Sequence, residues 1–130
     1  MHKTIYTGRC KKIKLAKCIG LATVLDSIAE QYAYRLECDQ NVESYRCCVP
    51  LADVRVVFRN YDGVPLSSDF VIYYKDGHTA IRECHYQKSL ENHRVVGWLN
   101  LSMKYWQTKG VWDWTVITDC NIQKGAVYGE

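Results

Sequence analysis

Proline is scarce in this sequence, with only 2 residues in 130, and low-complexity tracts and internal repeats are absent. These absences argue against a disordered linker or tail of any length. Hydrophobic residues make up 48% and charged residues 24%, which are ordinary values for a soluble globular protein. A chain of this length is long enough for one domain with a real core and too short for two. We therefore expect a single domain over residues 1–130.

Long apolar runs are also missing. No run approaches the length of a membrane helix, and the N-terminal residues lack the apolar core of a signal peptide. The 7 cysteines include no Cys-x-x-Cys pair, so their spacing fits neither a zinc site nor a secreted disulfide framework. We expect reduced, mostly buried thiols in a cytoplasmic protein without membrane association.

Acidic residues are absent from the first 17 positions, whereas lysine and arginine are frequent there. A basic arm of this kind often contacts phosphates, which makes Lys11, Lys12 and Lys14 candidate DNA-binding residues. A solvated basic surface strand would have the same composition. Residues 1–20 are therefore predicted to form a basic arm or an edge strand.

Hydrophobic periodicity predicts the first helix over residues 23–37. Its apolar face comprises Leu25, Ile28, Ala29, Tyr32 and Leu36, and Glu30 lies on the flank of that face. Two strands are predicted at residues 42–49 and 54–60, joined through residues 50–53 and followed by a turn at residues 61–65.

The strongest local signal is a β-hairpin within residues 67–85. An apolar run at residues 70–74 and a second strand at residues 79–84 flank a Lys75-Asp76-Gly77 turn. Asp69 opens the first strand and Glu83 closes the second, so the hairpin should place the two carboxylates side by side. Adjacent acids repel unless a cation lies between them, which makes the pair a candidate divalent-metal site. A turn residue and a strand-end charge are the alternative interpretation.

A long helix is predicted from residue 89 or 90 to residue 108, with Gly110 just beyond its end. A last strand follows at residues 112–118, and residues 120–130 are expected to be a tail. A strand, a helical crossover and a further strand normally run parallel. The predicted fold is therefore α/β (α+β), with a mixed central sheet flanked by helices. The buried face of the long helix is predicted to comprise Val95, Trp98, Leu99, Ser102, Met103 and Trp106.

This order of elements, with an acid on the first helix and two on the hairpin, resembles the restriction-endonuclease-like nucleases with a PD-(D/E)xK active site. It is more closely similar to the catalytic N-terminal domain of the TnsA family, the endonuclease subunit of two-component transposases. Ser27 and Glu30 match the family's Ser-x-x-Glu helix, and SSDFVIYYKDG matches its Pro-Asp-Phe run. The segment TAIRECHYQKS lies where the family has Glu-x-Lys or Gln-x-Lys. The likeness spans residues 23–119.

The resemblance implies a metal-dependent DNA endonuclease that hydrolyses a phosphodiester bond at mobile-element ends. Its partners would be DNA and a transposase subunit or other transposition proteins. By this likeness Asp69 and Glu83 ligate Mg²⁺ or Mn²⁺, with the backbone carbonyl of Cys84 as a third oxygen and Glu30 completing the site from the helix. Hard cations take oxygen ligands, activate water and neutralise charge on the scissile phosphate.

Two departures from the family pattern affect the expected chemistry. Ser68 replaces the proline before the acid, and His85 replaces the catalytic lysine. Strand alternation places His85 on the face of Glu83, but an ordinary histidine, with a pKa of about 6.5, is mostly neutral at pH 7. Lys88 is a substitute cation if the long helix begins early, and a loop lysine if Ser89 is its N-cap. A catalytically degraded nuclease fold, acting as a DNA- or protein-binding accessory or inhibitor, is the alternative function.

Overall fold

The structure is a computed structural model that describes residues 11–58 and 61–122. The basic residues before Lys11 and most of the predicted C-terminal tail lie outside the described residues. A 3₁₀ turn at Gln87–Glu91 precedes the second helix. The described elements, in chain order, are β1 Lys11–Ile13, β2 Ala22–Val24, α1 Ser27–Cys38, β3 Val42–Phe58, β4 Tyr61–Tyr74, β5 Thr79–Cys84, α2 His93–Thr108, β6 Asp113–Ile117 and α3 Asp119–Ile122.

A four-stranded mixed sheet forms the centre of the molecule, in the spatial order β3-β4-β5-β6. The pairs β3/β4 and β4/β5 are antiparallel, and β5 and β6 are parallel across the α2 crossover. The parallel last strand confirms the sequence-based prediction. Strands β1 and β2 form a separate two-stranded sheet. The protein is thus a mixed α+β protein.

Helix α1 packs on one face of the central sheet and contributes most of the core on that side. Its buried residues, Ile28, Ala29, Tyr32, Ala33 and Leu36, join Phe70 and Ile72 of β4 in one apolar cluster. The ring of Phe70 meets Tyr32 edge-on, with 5.3 Å between ring centroids. Burying a side chain of this size contributes about 1.5–3 kcal/mol. Helix α2 covers the opposite face, where Ser102 reaches Glu83 of β5.

Helix α1 begins at Ser27, four residues later than predicted, because Asp26 caps it. The Asp26 backbone is extended, and its carboxylate accepts the N–H of Ala29 at 2.9 Å. A side-chain acceptor at this position satisfies one of the N–H groups that have no partner in the first helical turn. The preceding residues Thr23 and Val24 lie in β2 and pair with β1, so the long-range pairing overrides their helical pattern.

The predicted turns on either side of residue 60 are wrong. Residues 50–53 do not separate two strands but lie within β3, and residues 61–65 lie within β4. The register between the strands shifts between Pro50 and Arg55, and Cys48 and Asp53 have positive φ of 51° and 61°. The irregularity at residues 50–55 absorbs extra residues of β3 while its pairing with β4 continues.

Helix α2 begins at His93 and not near Ser89, because Asn92 is its N-cap. The side-chain oxygen of Asn92 accepts the N–H of Arg94 at 2.8 Å. The helix ends at Thr108 as predicted, and Gly110 has a φ of +84° just beyond it. Of the predicted buried face, Leu99 and Ser102 are buried and the others are half-buried.

The described cysteines form no disulfide bond. The expectation that most of them are buried is wrong. Only Cys84 among them is buried, whereas Cys38 and Cys120 are exposed and the rest are half-buried. Among the described residues, none of the helices combines the length and the apolar composition needed to cross a membrane.

Candidate functional site

A cavity of about 580 Å³ lies beside the end of β5, between the start of α1, the β3–β4 hairpin and α2. Its polar lining includes three acids, Asp26, Asp69 and Glu83, together with His85. Apolar side chains cover much of the remaining wall. They include Leu25, Pro50, Val64, Leu66, Trp98 and Leu99. This site cavity therefore combines a small acidic region with an apolar wall.

Asp69 and Glu83 meet where the pairing of β4 with β5 ends. The last paired residues are Phe70 and Arg82. One residue further along, the two carboxylates accept the backbone N–H groups that would otherwise pair the strands. Asp69 Oδ2 accepts the N–H of Cys84 at 2.7 Å, and Glu83 Oε1 accepts the N–H of Asp69 at 3.1 Å. The predicted neighbouring position of the two acids is therefore observed, and it is fixed by backbone donors.

The backbone around Asp69 is irregular on both sides. Phe70 belongs to the core under α1, whereas Ser68, two residues earlier, bonds to Ser102 of α2 on the other face. Regular alternation would place Ser68 and Phe70 on one face. On the neighbouring strand β3, Cys48 lies between the paired residues Cys47 and Val49, opposite Asp69, and has a positive φ of 51°. The irregularity turns Ser68 towards Glu83.

Glu83 is buried, with 3% of its surface exposed, and it lies within a network of hydroxyl and indole groups. Ser68 and Ser102 both donate to Glu83 Oε2 at 2.6 Å. The indole N–H of Trp106 donates to Ser68 at 2.9 Å, and that of Trp114 donates to Ser102 at 3.0 Å. Ser102 and Trp106 were predicted only as core residues. The presence of Ser102 within the apolar stripe of α2 is the sequence signal from which this network could have been predicted.

The surroundings of Asp69 and Glu83 disfavour the charged form of both carboxylates. Burial raises the pKa of Asp69 well above its usual range, and the charge of Glu83 raises it further, against the opposing N–H of Cys84. Burial also raises the pKa of Glu83, whereas the hydroxyls of Ser102 and Ser68 lower it. Among residues 11–58 and 61–122, no lysine, arginine or histidine forms an ion pair with either acid. Within this part of the chain, the pair therefore has no ion-pair partner.

His85 lies beside the pair, half-buried at the cavity wall. Burial lowers its pKa, and the nearby charge of Asp26 only partly opposes this effect. This shift favours the neutral imidazole over the imidazolium. The neutral ring can donate or accept a hydrogen bond, but it does not supply the positive charge of the lysine that the family resemblance places here.

Glu30, the predicted helix acid of the site, does not line the cavity. Its carboxylate forms an ion pair with Lys11 of β1 at 3.0 Å. The acid that α1 brings to the cavity is the N-cap Asp26, whose charge acts on both Asp69 and His85. An aspartate directly before a helical apolar pattern is the sequence signal that identifies it.

The predicted basic residues lie away from the cavity wall. Lys88 is exposed in the 3₁₀ turn, and Lys12 and Lys14 are exposed near the N-terminal end of the described chain. Within the described residues, no lysine or arginine lines the cavity. The same part of the chain contains no group of three His, Cys, Asp or Glu side chains arranged to hold a metal on their own.

Comparison with known proteins assigns no family. No protein-family model matches this sequence, and no curated protein is significantly similar to it. The functional assignment therefore depends on the geometry of the cavity and on the sequence resemblance.

Proposed function

We propose that the protein is a metal-dependent DNA endonuclease, similar to the TnsA subunit of two-component transposases, and that the site cavity is its active site. The observation that carries this proposal is the pair formed by Asp69 and Glu83. Two carboxylates are held together at the end of a hairpin, and no cationic side chain of the described residues pairs with them. Such a pair is unfavourable unless it binds a proton or a cation.

The order of elements supports the same proposal. A helix, three antiparallel strands, a long helix and a parallel strand follow one another as α1, β3, β4, β5, α2 and β6. This is the order on which the resemblance to restriction-endonuclease-like nucleases was based. The resemblance has two acids on the hairpin, and here Asp69 lies on β4 and Glu83 on β5.

The donor set suits a hard divalent cation. Asp69 and Glu83 would hold Mg²⁺ or Mn²⁺, with the backbone carbonyl of Cys84 as a third oxygen. Magnesium is commonly bound by one or two carboxylates and keeps several water ligands, so a cluster of three acidic side chains is not required. When bound, the cation would lower the pKa of water and neutralise charge on the scissile phosphate.

The other residues of the cavity would position the substrate and the attacking water. His85, in its neutral form, would hold a water or a phosphate oxygen by a hydrogen bond, and Asp26 would add negative charge near the cation. Phosphate contacts outside the cavity would come from Lys12 and Lys14, because Lys11 is engaged with Glu30. A bond at a mobile-element end remains the proposed substrate.

Two features favour the alternative function, a degraded nuclease that binds DNA or protein. Burial favours the neutral form of His85 where the family resemblance places a lysine, and Glu83 Oε2 already accepts two hydroxyl hydrogens. A protein of this kind would keep the fold and the apolar cavity wall and would act as an accessory factor or an inhibitor.

Cleavage of DNA in the presence of Mg²⁺ or Mn²⁺ tests the proposal. The purified protein should nick or cut DNA, and D69A should abolish cleavage. E43A, which removes an exposed acid of β3 outside the cavity, is the matched control and should cleave normally. Cleavage that survives D69A, or that is absent with both metals, would reject the endonuclease. A large gain of cleavage in H85K would identify a degraded site.

A further inference from the structure

The hydrogen bonds around Glu83 have a fixed direction. Indole N–H groups only donate, so Ser68 and Ser102 must accept from Trp106 and Trp114 respectively. Each serine hydroxyl has a single hydrogen, and each lies 2.6 Å from Glu83 Oε2. The two tryptophans therefore aim both hydroxyl hydrogens at the same carboxylate oxygen.

This arrangement leaves the two oxygens of Glu83 unequal. Each carboxylate oxygen has about two acceptor positions. Both positions of Oε2 are filled by Ser68 and Ser102. Among the described residues, Oε1 accepts a single hydrogen bond, from the N–H of Asp69 at 3.1 Å. A ligand in the cavity can therefore coordinate Glu83 through Oε1 alone.

We propose that Ser68 and Ser102, oriented by Trp106 and Trp114, restrict Glu83 to one ligand oxygen and thereby make the cavity selective for small octahedral cations over Ca²⁺. The proposal rests on the metal site of the proposed function and specifies which cation it takes. Magnesium requires near-ideal octahedral geometry and accepts single carboxylate oxygens together with water. Calcium takes six to eight oxygens and often binds both oxygens of a carboxylate. A glutamate with one oxygen already saturated by hydrogen bonds therefore suits Mg²⁺ and lowers the affinity for Ca²⁺.

A purely structural network would behave differently. If the hydroxyls served only to stabilise a buried carboxylate, removing one of them would weaken the fold and reduce the affinity for every cation equally. If they control the number of ligand oxygens, their removal changes the ratio of affinities. The ratio of the Ca²⁺ and Mn²⁺ dissociation constants is thus the informative quantity.

Calorimetric titration of the metal-free protein with Mn²⁺ and with Ca²⁺ provides this ratio. The unmodified protein should bind Mn²⁺ more tightly. S68A and S102A should weaken Mn²⁺ binding by about 10- to 100-fold, the usual effect of losing a partner of a metal ligand. Calcium binding should change less, so the preference for Mn²⁺ over Ca²⁺ should fall in S68A and S102A. S102T keeps a hydroxyl and should retain the preference of the unmodified protein.

Two matched controls and one spectroscopic measurement complete the experiment. S44A and W112F remove a serine and an exposed tryptophan outside the network and should leave the ratio unchanged. In the metal-free protein, S68A should shift the indole N–H resonance of Trp106. If S68A does not fold, W106F removes the orienting donor and should lower the ratio in the same direction.

The outcomes separate the two proposals. Equal weakening of Mn²⁺ and Ca²⁺ binding in S68A and S102A, with metal binding still dependent on Asp69, overturns this inference and leaves the nuclease proposal intact. Absence of any divalent-cation binding by the unmodified protein overturns both.

Discussion

Asp69 and Glu83 are held at fixed positions by bonds across the hairpin: Asp69 binds the backbone N–H next to Glu83, and Glu83 binds the backbone N–H of Asp69 itself. Each carboxylate is thereby fastened to the strand opposite its own. The separation of the two acids depends on the β4–β5 hairpin as a whole. The turn of this hairpin and the packing beneath it consequently matter to the site.

Replacing Asp69 with Asn should stabilise the metal-free protein. The substitution removes one of two neighbouring negative charges, and the amide oxygen can still accept the N–H of Cys84. We expect an increase in the free energy of unfolding of about 1–2 kcal/mol, as is common when a functional strain is relieved. Urea unfolding at pH 7 with EDTA measures it. Added Mn²⁺ should raise the Tm of the unmodified protein and not that of D69N; a less stable D69N contradicts this view of the pair.

The acid that α1 contributes to the site can be identified by comparing D26N with E30Q. Asparagine is also a good N-cap, so D26N removes charge at the cavity without removing the cap. We expect D26N to weaken Mn²⁺ binding and cleavage severalfold. E30Q only breaks an ion pair with a largely exposed lysine, whose contribution is about 0–1 kcal/mol, and should retain both. A larger loss of Mn²⁺ binding and cleavage in E30Q than in D26N would instead identify Glu30 as the acid of the site.

Stability should depend on pH through His78, which joins the hairpin turn to β6. Its ring nitrogens lie 2.7 Å from Asp76 and 3.1 Å from Asp113. Hydrogen bonds to Asp76, and then to Asp113, raise the pKa of His78. The folded state therefore binds the proton more tightly than the unfolded state. The resulting stabilisation is fully present below the unfolded pKa of about 6.5 and is lost as the pH rises through the folded pKa.

Urea unfolding at pH 6 and pH 8 tests this dependence. The unmodified protein should lose stability between the two values, and H78Q should reduce that loss. H93Q, which replaces an exposed histidine at the start of α2, is the control and should behave like the unmodified protein. An identical pH dependence in H78Q would show that the contacts of His78 do not stabilise the folded state.

The core beneath the site should be sensitive to truncation of Phe70. Phe70 directly follows Asp69 in the sequence. Its ring is fully buried and contacts the rings of Tyr32 and Tyr45. F70A should lower the free energy of unfolding by about 3–5 kcal/mol, because it removes apolar contacts and leaves a cavity. V57A, at an exposed position of β3, should change it by less than about 0.5 kcal/mol. Chemical unfolding of both variants gives the comparison, and similar losses would argue against this core.

Local sequence determined the elements whose signals are short-range. The Asp-Gly turn, the apolar faces of the two main helices and the glycine beyond α2 depend on backbone preferences and on periodicity within one element. These features predicted the mixed sheet and the parallel β6, and they placed Asp69 next to Glu83, because a hairpin necessarily brings its outer ends together.

Tertiary structure decided which other groups join that pair. Residues 22–24 form a strand because β1 lies beside them, and α1 therefore begins only at Ser27. Asp26 lines the cavity, whereas Glu30 pairs with Lys11 of β1. The register shift at residues 50–55 lets β3 continue where two strands were predicted. The irregular backbone at Asp69 turns Ser68 to Glu83, where Ser102 and two tryptophans from later elements meet it. Such contacts join residues far apart in sequence, so periodicity within one segment cannot specify them.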